Sequence, residues 1–211
     1  MSTPREAGRP TLAGGSEAEL APRYESLGVT WRSFSAANYN AAMYAAFLLI
    51  HSTLRWIVLI LALVALARAI RGVASRREWE PADQSIGGWF TGSVDLQLLL
   101  GLVLYFFLSP FTREAFGDFG AAMRNAPLRF FAVEHITGMI IAVALVHVGR
   151  ARTKKAADAA SRHKSALIFF GLALVIMLGS IPWPGMPGGR PLFRGFGETA
   201  SFDTIVRSVR L

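Results

Sequence analysis

Along the chain, polar and apolar positions sort into four long apolar blocks, at about 43–67, 88–109, 128–148 and 165–181, separated by short polar links. Each block is close to the roughly 20 residues that an α-helix needs to cross about 30 Å of hydrocarbon at about 1.5 Å per residue. The pattern predicts an all-α integral membrane protein, a four-helix bundle over 43–182. Pro110 closes the second block and Pro182 the fourth, where a ring without an N–H ends a helix. Trp89 and Trp183 stand at block ends, where indoles favour the headgroup level.

Residues 1–42 are rich in Gly, Pro, Ser and Ala with no sustained apolar period, and read as a disordered tail. Met43 stands directly before the first block and is a candidate alternative start. The remainder, 183–211, reads as a tail outside the membrane. Its opening, Ile181-Pro-Trp-Pro-Gly-Met-Pro-Gly-Gly-Arg-Pro-Leu-Phe, cannot continue a helix. It is expected to lie near the outer surface as an anchor through Trp183 and Phe193, or else as a lid over a pocket or a docking strip for a partner.

The links set an orientation. Arg68, Arg71, Arg76 and Arg77 follow block one, and Arg150, Arg152, Lys154, Lys155, Arg162 and Lys164 follow block three, whereas the middle link holds Arg113 and Arg124. By the positive-inside rule both termini and the middle link face outward, into the periplasm if the cell has one, and the protein is expected in the inner (cytoplasmic) membrane.

Composition agrees with the blocks. Of 211 residues, 53% are hydrophobic and 17% charged, against about 25% charged for a soluble domain. The net charge of +8 sits in the links, with no aromatic-interleaved basic surface, so nucleic acid is not expected as a partner and the lipid bilayer is. There is no cysteine, which excludes disulfides, thiolate metal sites, iron–sulfur clusters and covalently attached haem. Redox or metal chemistry would have to use His, Met, carboxylates or a non-covalent cofactor.

Polar residues inside a span are costly unless paired or set in a wet cavity, and are candidates for function. Block one carries His51, Arg55 and Trp56; block two Asp95, Gln97 and Tyr105; block three Arg129, Glu134, His135 and His147. His51 and His135 stand at matching distances from the outer ends of parallel helices, so they are expected at one depth in the outer half of the bilayer. Two imidazoles so placed can clamp a haem iron from both axial sides, or ligate a bare metal ion with a carboxylate. Gly101 and Gly138 leave room for a flat cofactor beside them. An outer pocket lined by His51, Tyr105, Glu134 and His135 would suit a haem edge or a quinone headgroup. Arg55 and Asp95, both near mid-membrane, are expected to form an ion pair that locks helix one to helix two. Arg55 could also steer a haem propionate or quinone oxygen, with Asp95 or Glu134 relaying a proton. Arg129 is expected to snorkel to the outer interface. His147 lies on a different helix face from His135 and is expected to cap the inner helix end or to point toward the cytoplasmic interface.

The runs His51-Ser-Thr-Leu-Arg55-Trp56, Asp95-Leu-Gln97-Leu-Leu-Leu-Gly101 with Tyr105, Arg129-Phe-Phe-Ala-Val-Glu134-His135, and Ile181-Pro-Trp-Pro carry a resemblance. Over residues 43–195 the chain resembles small bacterial four-helix membrane proteins labelled cytochrome b-like, and more distantly haem proteins of the cytochrome b561 type. The resemblance implies haem b with His51 and His135 as axial ligands. It also implies electron transfer with quinone or a redox partner, in a membrane redox complex or homo-oligomer. The chain departs from two-haem members in lacking doubled same-face histidine pairs, and Asp95 stands where the family commonly has His. Two other classes stay open: a non-catalytic membrane subunit or scaffold of a larger complex, and a metal- or proton-coupled carrier.

Overall fold

A computed structural model describes residues 31–186 and 188–193, excepting the side chains of 31–38. Contacts divide the chain into Met1–Ala41 and Ala42–Leu211. Of the first unit only the helical stretch from Trp31 is described, so the expected tail lies outside the described residues up to position 30 and is helical from there. Positions 194–211 of the expected C-terminal tail also lie outside them.

Helix α1 spans Trp31–Ser75, and α2 spans Pro81–Val103 and runs on through a π-helical turn, Leu104–Leu108. Three short helices follow: α3 (Pro110–Gly117), α4 (Phe119–Arg124) and α5 (Ala126–Arg129). A second π turn, Phe130–Glu134, leads into α6 (His135–Lys155), and α7 is Ala159–Ser180. Among the described residues there is no strand. Four helical stretches are long and apolar enough to cross a membrane: Tyr39–Ser75, Pro81–Leu108, Ala126–Lys155 and Ala159–Ser180.

These stretches overrun the apolar blocks because polar residues cap them. Glu80 and Asp83 form a reciprocal capping box at the start of α2, with Pro81 as the first helical residue. Asp158 accepts from the Ser161 N–H at the start of α7. Such a cap is worth about 0.5–2 kcal/mol to its helix. Residues that read as link are therefore helix. The middle link, too, is folded: Ser109, Asp118 and Asn125 each accept from the backbone N–H three residues on and start α3, α4 and α5.

The core is built from small residues that let helices approach closely: Ala62, Ala65 and Ala69 of α1, Ala142 of α6, and Ala166 and Ala173 of α7. At its centre Phe90 of α2 meets Phe170 of α7 edge to face, ring centres 5.3 Å apart. Gly149 gives Phe170 room, and a Cβ at Gly72 would overlap the ring of His163, which is fully buried and lies against Trp79.

Chemistry separates the two ends of the bundle. At the arginine end, Asp83, buried to 2% side-chain exposure, takes Arg68 at 2.6 Å and Arg77 at 2.9 Å, and Glu80 takes the same two arginines at 2.7 and 2.9 Å. This four-residue cluster closes the hairpin from α1 to α2. Such buried charge is tolerable only with this degree of pairing. The other end carries His51, His135, the short helices and both π turns.

Candidate functional site

At the histidine end the four long helices surround a cavity of about 140 Å³, lined mainly by apolar side chains. That exceeds by about tenfold the roughly 10–15 Å³ needed for one water molecule. Its polar lining includes His51 and Arg55 from α1, Gln97 and Tyr105 from the α2 segment, His135 from α6, and Arg190 from the chain after α7.

His51 and His135 face each other with ring centres 6.5 Å apart and planes at 72°. Two imidazoles on one metal ion place their centres roughly 6 Å apart, given metal–nitrogen bonds of about 2.0–2.1 Å on each side. His135 begins α6 directly after the π turn, and its Nδ1 donates to the Ser180 carbonyl at 2.7 Å. Because a carbonyl only accepts, Nδ1 carries the proton and Nε2 keeps its lone pair, the arrangement typical of a metal-ligating histidine. Phe130 and Phe131 flank the ring at 6.0 and 6.3 Å.

His51 is held differently. The Gln97 amide nitrogen lies 3.0 Å from the His51 carbonyl and 3.2 Å from its Nε2, and can donate one hydrogen to each. That network assigns the proton to Nδ1. His51 Nδ1 and Gln97 Oε1 are buried with no hydrogen-bond partner. An orphaned N–H and an orphaned amide oxygen at a cavity wall point to a polar occupant. Gly101 lies beside the ring, where a Cβ would come within 3.2 Å of His51 Cε1.

The two imidazoles suit haem iron in type, and their ring-centre separation is near that of two imidazoles sharing one metal ion. Among the described residues there is no cluster of three or more His, Cys, Asp or Glu, so a bare ion would have only the two imidazoles. Ligation through His51 Nε2 requires Gln97 to give up that contact while keeping its bond to the backbone carbonyl.

Several expected placements change. Gly138 does not line the cavity: a Cβ there would collide with Ser180, so this glycine serves the close approach of α6 and α7. Glu134 is also absent from the lining and pairs with Arg129 at 2.7 Å, both side chains more than 40% exposed. The π turn sets Glu134 outward as it brings His135 inward. Arg55 and Asp95 do not pair. Val94, Gln97, Leu98 and Gly101 form the cavity-facing stripe of α2, which leaves Asp95 on the outside, where it takes His147 Nε2 at 2.7 Å. His147 accordingly does not cap the helix.

Arg55 instead donates to the Leu192 carbonyl at 2.9 Å, joined there by the Trp56 indole at 3.1 Å. Phe193 stacks on Trp56 with ring centres 5.2 Å apart and planes at 15°. The Arg190 guanidinium sits 4.6 Å from the Phe111 ring centre and 5.1 Å from that of Phe131. The chain after α7 thus folds back over the cavity mouth as a strap, with Arg190 and Pro182 in the lining. A lid is one of the readings the sequence allows, but nothing in it singles out Arg190 or the Ser180 and Leu192 carbonyls. Only the Arg55-Trp56 pair, two neighbouring donors on one helix, hinted that an acceptor must come to them.

Tyr105, in the first π turn, donates to the carbonyl of Ala132, in the second, at 2.7 Å. Thr112 of α3 donates to the Tyr105 carbonyl at 2.6 Å. π turns leave backbone groups without their usual helical partners and recur at functional sites. Here side chains satisfy them.

Comparison with family models, with curated proteins and with solved structures finds no match.

Proposed function

We propose that the protein is a membrane cytochrome b-like electron carrier, holding one haem b between α1 and α6 and exchanging electrons with quinone or a redox partner protein. The observation that carries this reading is the facing pair His51 and His135, 6.5 Å apart across an apolar cavity, with His135 Nε2 left free to ligate by the bond to Ser180. Bound there, haem b supplies one-electron redox chemistry.

The chain's own residues do the rest. His51 and His135 would hold the metal through their imidazoles. The Ser180 carbonyl fixes the His135 ring and its tautomer, as a carbonyl partner does for metal-bound imidazoles. Arg55 and Arg190 set positive charge at the cavity wall, where it would favour the carboxylates of a b-type haem and raise the preference for the reduced state. Pro182 and Arg190 of the strap line the cavity, where they would restrict water and so sustain these electrostatic effects. With the arginine-rich links on the cytoplasmic side, the cavity and strap face outward in the inner membrane.

The test is the haem content of protein purified in detergent after expression with haem available. One haem b per chain is expected. A well-folded preparation with none would refute the reading.

A further inference from the structure

The Asp95–His147 pair lies on the outside of the bundle and inside two membrane-crossing stretches. Asp95 is in the middle of Pro81–Leu108, and His147 is well inside Ala126–Lys155. The two are bonded at 2.7 Å, yet their side chains stay 49% and 51% exposed. They belong to neither the cavity nor the arginine cluster. In a lone bundle this face would present an acidic and a basic group to lipid tails, which satisfy neither.

The surroundings suit another helix. On α2, Gly92 stands about one turn before Asp95, and a Cβ there would meet nothing within 4 Å. On α6, Ala144 and Ala151 flank His147, and both are exposed. Small residues of this kind let a neighbouring backbone come close in a membrane.

We propose that this α2/α6 face is covered by a second copy of the same chain, in a dimer whose two-fold axis runs along the membrane normal. Such an axis keeps every residue at its own depth, so the Asp95–His147 pair of one copy meets that of the other. The pair uses Asp95 Oδ1 and His147 Nε2, which leaves Oδ2 and Nδ1 outside that bond on side chains about half exposed. The two-fold sets the acidic group of each copy against the basic group of its partner. A second copy is therefore the occupant whose charges match at the required depth. The proposal does not depend on the haem reading.

Because the natural chain has no cysteine, single cysteines report contacts cleanly. Gly92→Cys, Leu96→Cys and Ala144→Cys would each be oxidised in native membranes. Leu172→Cys serves as control: it is exposed on α7, near the level of the Phe170–Phe90 contact. Expected is a disulfide-linked species of twice the chain mass from at least one of the three, and none from the control. The unmodified protein should run as a dimer in mild detergent. The double variant Asp95→Leu, His147→Leu should shift toward monomer while still folding. Monomer alone from all three cysteine variants would overturn the proposal. So would a product containing a different chain, or equal cross-linking at Leu172→Cys.

Discussion

The hydroxyl of Tyr105 donates to the carbonyl of Ala132 at 2.7 Å, tying the π turn that ends α2 to the π turn that precedes His135. Ala132 lies three residues before His135, which lines the cavity. Tyr105→Phe keeps the ring and removes the bond. We expect a loss of about 0.5–1.5 kcal/mol, the usual net worth of such a bond. If haem b occupies the cavity, its retention should weaken. Thermal unfolding and haem content of the variant against the parent check both effects.

Gln97 supplies a donor to both the carbonyl and Nε2 of His51. Gln97→Leu leaves the His51 carbonyl and Nε2 without that donor, and the haem-free protein should lose about 1–3 kcal/mol. If haem b is bound through His51 Nε2, the haem-loaded form should lose less, because the iron would then partner that nitrogen. Unfolding of the variant with and without haem measures the difference. An equal loss in both forms would place His51 Nε2 outside the ligand set.

Two glycines in long helices should respond in opposite directions to alanine. At Gly72 the added methyl would overlap the His163 ring, so overpacking is expected to cost about 1–3 kcal/mol. At Gly179 the methyl meets nothing within 4 Å, and better helix propensity should yield up to about 1 kcal/mol. Thermal stability of the two variants in the same detergent decides the matter.

The arginine cluster gives stability a dependence on acid. Hydrogen bonds from Arg68, then Arg77, hold the Glu80 carboxyl below its ordinary value near 4.5. A carboxylate depressed on folding adds stability above its unfolded pKa, and that share disappears as pH falls through the lower folded value. The parent should therefore exceed Glu80→Gln in thermal stability at neutral pH, with the gap closing below about pH 4. Salt should narrow the gap as well, since Glu80 is solvent-exposed. A gap unchanged by pH would mean that the ion pairs contribute nothing.

What could be read from the sequence follows from where physics constrains it most. Lipid cannot hydrogen-bond a backbone, so helices able to cross a membrane appear as long apolar blocks, as the four long helices here do. Their ends were less legible because Glu80, Asp83 and Asp158 are capping residues and look like loop. Nothing in Leu104–Leu108 or Phe130–Glu134 marks a π turn, so the inward turn of His135 and outward turn of Glu134 had no sequence signal. The Arg55–Asp95 pairing failed for a different reason. Counting along a helix gives depth but not direction, and Asp95 lies two residues from Gln97, on the opposite face of α2. The stripe Val94, Gln97, Leu98, Gly101 already implied that Asp95 points away.

The measurement closest to the central claim is the reduced-minus-oxidised visible spectrum of the purified protein, taken beside His51→Ala and His135→Ala. Haem b held by both imidazoles predicts a sharp reduced α-band in the parent, lost in each variant while helix content is unchanged. A folded parent without the band, or a band that survives loss of either histidine, would contradict the account.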